Sequence, residues 1–258
     1  MNLSTVFDSI EHSKIEKFVQ IAGAEDAFAK LPDILRHELA KRRSPDFRFA
    51  KDIAEADESE DYQLTSSCRL NCIFVHVPKA AGISVAKALF GSRAGGHLPL
   101  RYYLWLYGAK QFDRYYKFTF VREPLDRVRS AYRFLMRGGM NDNDRQWART
   151  YIEGYKDFSE FLEFGLKRPE ISNSLHFRPQ SDFLIDPRYK GIGVDYIGRL
   201  ESIEQDFSFV AAKLGVSRKL PNLNRTRASK ESGCCISDDA LRVVRKTYQQ
   251  DYELLGYS

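Results

Sequence analysis

Two stretches of this chain run from a buried strand through a short turn into a helix, and that shared order narrows the possible folds more than anything else in the sequence. The first is CIFVHVPKAAGISVAKALF, residues 72–90. CIFVHVP is a compact apolar run with β-branched residues, as a strand covered on both faces requires, KAAG is a loop of small residues, and ISVAKALF has helical character. The second is YKFTFVREPLDRVRSAYRFLM, residues 116–136, where Pro124 directly follows the strand and suits the first turn of a helix. Such units predict a parallel sheet flanked by helices. Further along, VDYIGRL (194–200) reads as another short strand, and ESIEQDFSFVAAKLG (201–215) as a helix capped by Gly215. Ser237 caps a last helix with Asp238 and Asp239 in its first turn; Leu241, Val244 and Tyr248 are expected on its buried face.

The expected fold is therefore α/β: a three-layer domain with a central parallel sheet between helices, over residues 68–258. A helical N-terminal segment precedes it. Phe18, Ile21 and Ala22, then Leu31, Ile34, Leu35 and Leu39, follow helical spacing, and an acidic, polar stretch at 51–67 reads as a linker, so residues 1–67 form a separate unit. With 258 residues, 43% of them hydrophobic, the chain is large enough for one such domain. A net charge of +5 suits an anionic ligand without demanding nucleic acid. No apolar run reaches the roughly 18 residues of a membrane span, and the first residues lack the pattern of a signal peptide, so a cytoplasmic protein is expected. Cys68, Cys72, Cys234 and Cys235 form no C-x-x-C pair and gather no histidines, so no metal site is expected and reduced thiols are.

Both strand–helix junctions have the makings of an anion site. At the first, the helix start directs backbone N–H groups and a positive dipole end at the loop, where Ala80, Ala81 and Gly82 allow close approach, Lys79 adds a charge and Ser84 a hydroxyl. The lysine precedes the lone glycine, unlike a Walker A loop, and the three glycines of a dinucleotide fingerprint are missing. At the second, Arg122 stands at the strand's carboxyl end and Ser130 lies two turns into the helix, a good position for phosphate. Arg129, Arg133 and Arg137 recur at i, i+4 and i+8 on that helix, either as a wet face or as part of a surface for an anion, with Asp126 placed to offset Arg129.

Together VHVPKAAGISV and FVREPLDRVRSAY resemble the two donor-binding segments of the sulfotransferase superfamily. They are most similar to the carbohydrate branch, which includes the chondroitin and dermatan 4-O-, HNK-1 and uronyl 2-O-sulfotransferases. The resemblance runs over roughly residues 70–258 and takes in LHFRPQSDFL, DYIGRLESIEQDF and DYELLGY. It implies a P-loop-like domain that transfers a sulfuryl group from 3'-phosphoadenosine 5'-phosphosulfate (PAPS) to a hydroxyl of a carbohydrate or other acceptor, with no metal required. Lys79, Ala81, Gly82, Ile83 and Ser84 would hold the 5'-phosphosulfate, and Arg122 and Ser130 the 3'-phosphate. Arg225 or Arg227, in the basic loop NRTRASK, would close over the nucleotide, with Arg227 counted among the donor ligands.

Such a transfer needs a base for the acceptor proton, and histidine suits it with an ordinary pKa of about 6.5. His12 and His37 precede the domain and read as surface residues, while His76 reads as a satisfied core histidine. His97, after Gly95 and Gly96, stands where uronyl 2-O-type relatives carry their base, and is the residue chosen; His176 is its rival, taken with Gln180 and Arg129 for the acceptor side or for structure. Glu123 remains a further base. Trp105 and Trp147 are candidates for stacking on sugars, in the region 102–116 and after Gly138. The competing functions are a non-catalytic PAPS-binding protein and a P-loop kinase; the misplaced lysine and the lack of an evident magnesium-binding aspartate after a strand weigh against the kinase.

Overall fold

The computed structural model describes residues 69–92, 97–220 and 236–258. The N-terminal helical segment and acidic linker, Gly95, Gly96, Arg225, Arg227, the histidines His12 and His37, and Cys68, Cys234 and Cys235 lie outside the described residues, as does the side chain of Trp105.

The chain forms β1 (Cys72–Val75), α1 (Gly82–Phe90), α2 (Leu100–Arg114), β2 (Tyr116–Val121), α3 (Pro124–Met136) and α4 (Asp142–Tyr151). Short turns at Phe158–Glu160 and Pro169–Ser172 flank a π turn, Phe161–Gly165, and lead to α5 (Ser181–Leu184). A two-stranded hairpin of β3 (Ile185–Asp186) and β4 (Gly191–Ile192) follows, then β5 (Tyr196–Arg199), α6 (Ile203–Lys213), α7 (Asp238–Thr247) and α8 (Gln249–Leu255).

The main sheet is parallel in the order β1-β2-β5. Cys72 pairs with Tyr116 and Val75 with Thr119, while Phe118 pairs with Tyr196 and Val121 with Arg199. The alternation of side chains sorts the core into two faces. Ile73, Val75 and Val121 pack with α2, Phe183 and Leu184 of α5, and Leu255 of α8. Cys72, Phe74, Phe118 and Phe120 pack with α1 and with Phe207, Val210 and Ala211 of α6. Both faces are covered, which is why the strands read as continuous apolar runs rather than alternating ones. A third cluster joins α3, α4, the π turn, Phe177 and α7. Among the described residues, no helix is long and apolar enough to cross a membrane.

Several expectations need correction. β1 ends at Val75 rather than at residue 78, so His76 opens the loop. The aromatic stretch 102–116 is mostly helix: Tyr102, Tyr103 and Phe112 are buried in the core and take no part in a sugar-binding surface. Trp147 lies against Phe177 and Tyr151 at the edge of the third cluster, a packing role. On α7 the Ser237 cap is as expected, its hydroxyl accepting from Ala240 N–H at 3.1 Å. Val244 and Tyr248 are buried, but Leu241 is 36% exposed and Ala240 takes the inward position.

Candidate functional site

Neighbouring parallel strands end side by side, and the two predicted anion sites end with them. Lys79 follows β1 by one short loop, and Arg122 is the first residue beyond β2. In that loop Lys79 and Ala81 adopt left-handed backbone conformations, with φ of 66° and 63°. A non-glycine residue there costs on the order of 1 kcal/mol, which the surrounding packing must offset. The reward is a tight turn that delivers the chain into α1, whose first N–H groups have no partner within the helix. Gly82 is required by contact rather than by φ: a Cβ on it would lie 1.9 Å from Cδ2 of His76. Ser84 is buried in the first turn of α1.

Lys79 reaches over the ring of Phe134 on α3, its Nζ 3.8 Å from the ring centre. Burial lowers its pKa to about 8; the nearby Arg122 charge pushes the same way and Asp144 opposes them. Burial likewise lowers the pKa of the Arg122 guanidinium, against the pull of Asp126 and Glu201. Two partly buried cations thus sit close enough to repel each other, which is costly unless an anion arrives. Ser130 lies half-buried on α3 beside Arg129, whose charge also reaches Arg122. Arg129 is half-buried and ion-paired with Asp126; on the same stripe Arg133 is half-buried and Arg137 exposed.

His97 stands over this loop. Its Nδ1 lies 2.9 Å from the backbone oxygen of His76. A carbonyl only accepts, so Nδ1 carries the hydrogen and Nε2 keeps its lone pair. Burial lowers the His97 pKa, the His76 carbonyl raises it, and Lys79 lowers it. His97 is thereby neutral at physiological pH with a basic nitrogen unused by that contact. The ring of His76 packs 4.2 Å from that of His97 and stacks on Phe74. His76 is buried as expected, but it is not satisfied: its Nδ1 has no hydrogen-bond partner.

His176 belongs to the same cluster. Its ring meets Phe134 edge-on, and its Nε2 lies 3.7 Å from Asp144 Oδ1. Burial first, then His97, depress its pKa to about 4 although Asp144 raises it. Asp144 and Phe134 were missed by the sequence reading. Gly138 and Gly139, both with positive φ, turn the chain so that Asp144 points back into the site, where its Oδ2 accepts from Met140 N–H at 2.8 Å. Gln180 does not face an acceptor; its amide bonds to the backbone of Arg122. Glu123 is engaged elsewhere: it caps α3 by accepting from Leu125 and Asp126 N–H and also accepts from Tyr252 O–H, so it is withdrawn as a base.

The arrangement brings together two cations, a neutral histidine with a free basic nitrogen and a helix N-terminus, a set able to bind an anionic donor and take a proton beside it. The model of the Sulfotransferase family matches residues 101–258, which includes Arg122, Ser130, His176 and Gln180 but not the Lys79 loop. Carbohydrate sulfotransferase 14 of Danio rerio is 30% identical over 166 residues, covering 55% of this chain and 44% of that protein. An uncharacterized protein of Archaeoglobus fulgidus is 34% identical over 113 residues, covering 44% of this chain and 78% of its own length. The chain thus spans less than half the length of the zebrafish relative. No solved structure matches.

Proposed function

The chain belongs to the sulfotransferase family, and from that premise we propose that it transfers a sulfuryl group from PAPS to a hydroxyl, with a carbohydrate as the acceptor class. The observation that carries this reading is the meeting of Lys79 and Arg122 at the ends of adjacent strands, beneath a histidine whose tautomer is fixed. Two cations beyond neighbouring strand ends, close enough for the charge of Arg122 to act on Lys79, suit a ligand with more than one negative group.

In this reading the 5'-phosphosulfate lies against Lys79 and the backbone of Ala81, Gly82 and Ile83, with Ser84 supplying a hydroxyl. The 3'-phosphate lies against Arg122 and Ser130. His97 Nε2 takes the proton of the acceptor hydroxyl as its oxygen attacks sulfur. The bond from sulfur to the phosphate oxygen breaks, and Lys79 stabilises the charge that grows on that oxygen. Neutral His176, held near Asp144, faces the acceptor side. The name of the zebrafish relative supports a carbohydrate acceptor for that protein, and it is on this basis that sugars lead the test.

Transfer of labelled sulfate from PAPS across a panel of glycans and small alcohols tests the activity. The wild type should be stabilised against heat by adenosine 3',5'-bisphosphate and not by ATP with magnesium. His97→Ala should lose about 10²–10⁴-fold in transfer rate while keeping donor affinity. Stabilisation by ATP alone, or full activity in His97→Ala, would overturn the assignment.

A further inference from the structure

Gln180 is fully buried, and its carboxamide grips the backbone of Arg122 on both sides. Its Oε1 accepts from Arg122 N–H at 3.0 Å, and its Nε2 donates to the Arg122 carbonyl at 2.8 Å. The pairing of β2 with β5 ends at Val121 with Arg199, so Arg122 is the first residue without a strand beside it on that ladder. One primary amide thus does for Arg122 what a neighbouring strand does for the residues before it. Buried peptide groups need such partners, and turning the Arg122 backbone would break both bonds at once.

The clamp is itself anchored. Asp251 on α8 is fully buried and accepts from Gln180 N–H and Ser181 N–H, each at 2.8 Å. The buried guanidinium of Arg127 donates to the carbonyls of His176, Phe177 and Arg178, and Tyr248 O–H donates to that of Phe177 at 2.6 Å. The segment from His176 to Ser181 is therefore held along its length by α3, by α8 and by Tyr248 at the junction of α7 and α8. Only glutamine has the reach and the paired donor and acceptor for this task. Methionine would fill the space with neither, and glutamate would set a second carboxylate beside Asp251 and the Arg122 carbonyl.

We propose that Gln180 is a positioning residue for donor recognition: by fixing the backbone of Arg122 it aims the guanidinium, and so sets the preference for a nucleotide bearing a ribose 3'-phosphate. This rests on the reading of Arg122 as the 3'-phosphate ligand. Affinities of adenosine 3',5'-bisphosphate and adenosine 5'-phosphate are to be measured for the wild type, Arg122→Ala, Gln180→Met and the double variant. Arg122→Ala and Gln180→Met should each cut the preference for the bisphosphate by about tenfold or more, with 5'-phosphate affinity kept, since a charge-assisted contact is lost. The double variant should be no worse than Arg122→Ala, because both changes remove one interaction.

The inference is overturned if folded Gln180→Met keeps the preference, weakens both nucleotides equally, or adds its effect to that of Arg122→Ala. Gln180→Glu, which keeps the acceptor but not the donor, replaces Gln180→Met if the latter does not fold. If neither folds, the amide is a structural element and the inference falls. A preference retained by Arg122→Ala would instead strike the assignment of Arg122 itself, a result in which Gln180 has no part.

Discussion

Lys79 is held where its charge is least comfortable. Its folded pKa of about 8 lies below the ordinary 10.5, chiefly because it is buried. Below pH 8 the ammonium is charged in both folded and unfolded chains, and burial costs stability in full. Between pH 8 and 10.5 the folded protein releases the proton first, so the cost fades as pH rises. Lys79→Met should therefore abolish transfer yet raise stability at neutral pH. The gain should be roughly 1–2 kcal/mol after allowing for solvent and for the lost contact with Phe134, and should shrink toward pH 10. Urea denaturation at the two pH values reads it; a destabilised variant at pH 7 would mean that the cation contributes more through Phe134 than its burial costs. Lys79 and Arg122 were legible in the sequence because each sits at a strand–helix junction, where local pattern fixes position. Asp144 and the work of Gln180 were not, because each acts on a residue far along the chain: Gln180 meets a backbone 58 positions away, and side-chain type alone does not announce such a partner.

The elements near the site show the same division. The strands β1 and β2 and the helices α1 and α3 follow from unbroken apolar runs followed by a turn, a signal confined to neighbouring residues. The helix α4 was passed over, although Asn141 accepts from Asp144 N–H as its cap at 2.9 Å and Asp142 and Asp144 occupy its first turn. Its polar composition hid a helix whose buried contribution is small: Ala148 alone on it is fully buried. What α4 supplies is direction. Gly139 has φ of 64°, and a Cβ there would lie 2.1 Å from the Cβ of Asp144. Gly139→Ala should thus force the start of α4 and Asp144 away from His176 and Lys79. The expected loss is about 1–3 kcal/mol of stability together with slower transfer. An unaltered rate in this variant would show that Asp144 can leave the cluster without consequence for the chemistry.

At the scale of the molecule, two packed clusters cover the faces of the sheet and a third joins α3, α4 and α7, and the C-terminal helices tie them together. Tyr248, the residue between α7 and α8, belongs to the cluster of α3 and α4, while Leu255 of α8 belongs to one face of the sheet. The sequence showed both helical character and the Ser237 cap near that end, but not that Asp251 would be carried into the interior, since an aspartate at a helix start reads as a surface residue. Its carboxylate is the acceptor for two buried backbone N–H groups, so Asp251→Ala leaves both without a partner. The expected cost is about 2–4 kcal/mol of unfolding free energy. Because the groups it holds lead to Arg122, the loss should be recoverable in part by ligand: adenosine 3',5'-bisphosphate at about 100 times its dissociation constant adds roughly 2.7 kcal/mol to a folded state that binds it. Denaturation of Asp251→Ala with and without the nucleotide measures both quantities. A variant as stable as the wild type would show that α8 does not hold the donor site, and a destabilised variant deaf to the nucleotide would show that Arg122 depends wholly on this carboxylate to bind.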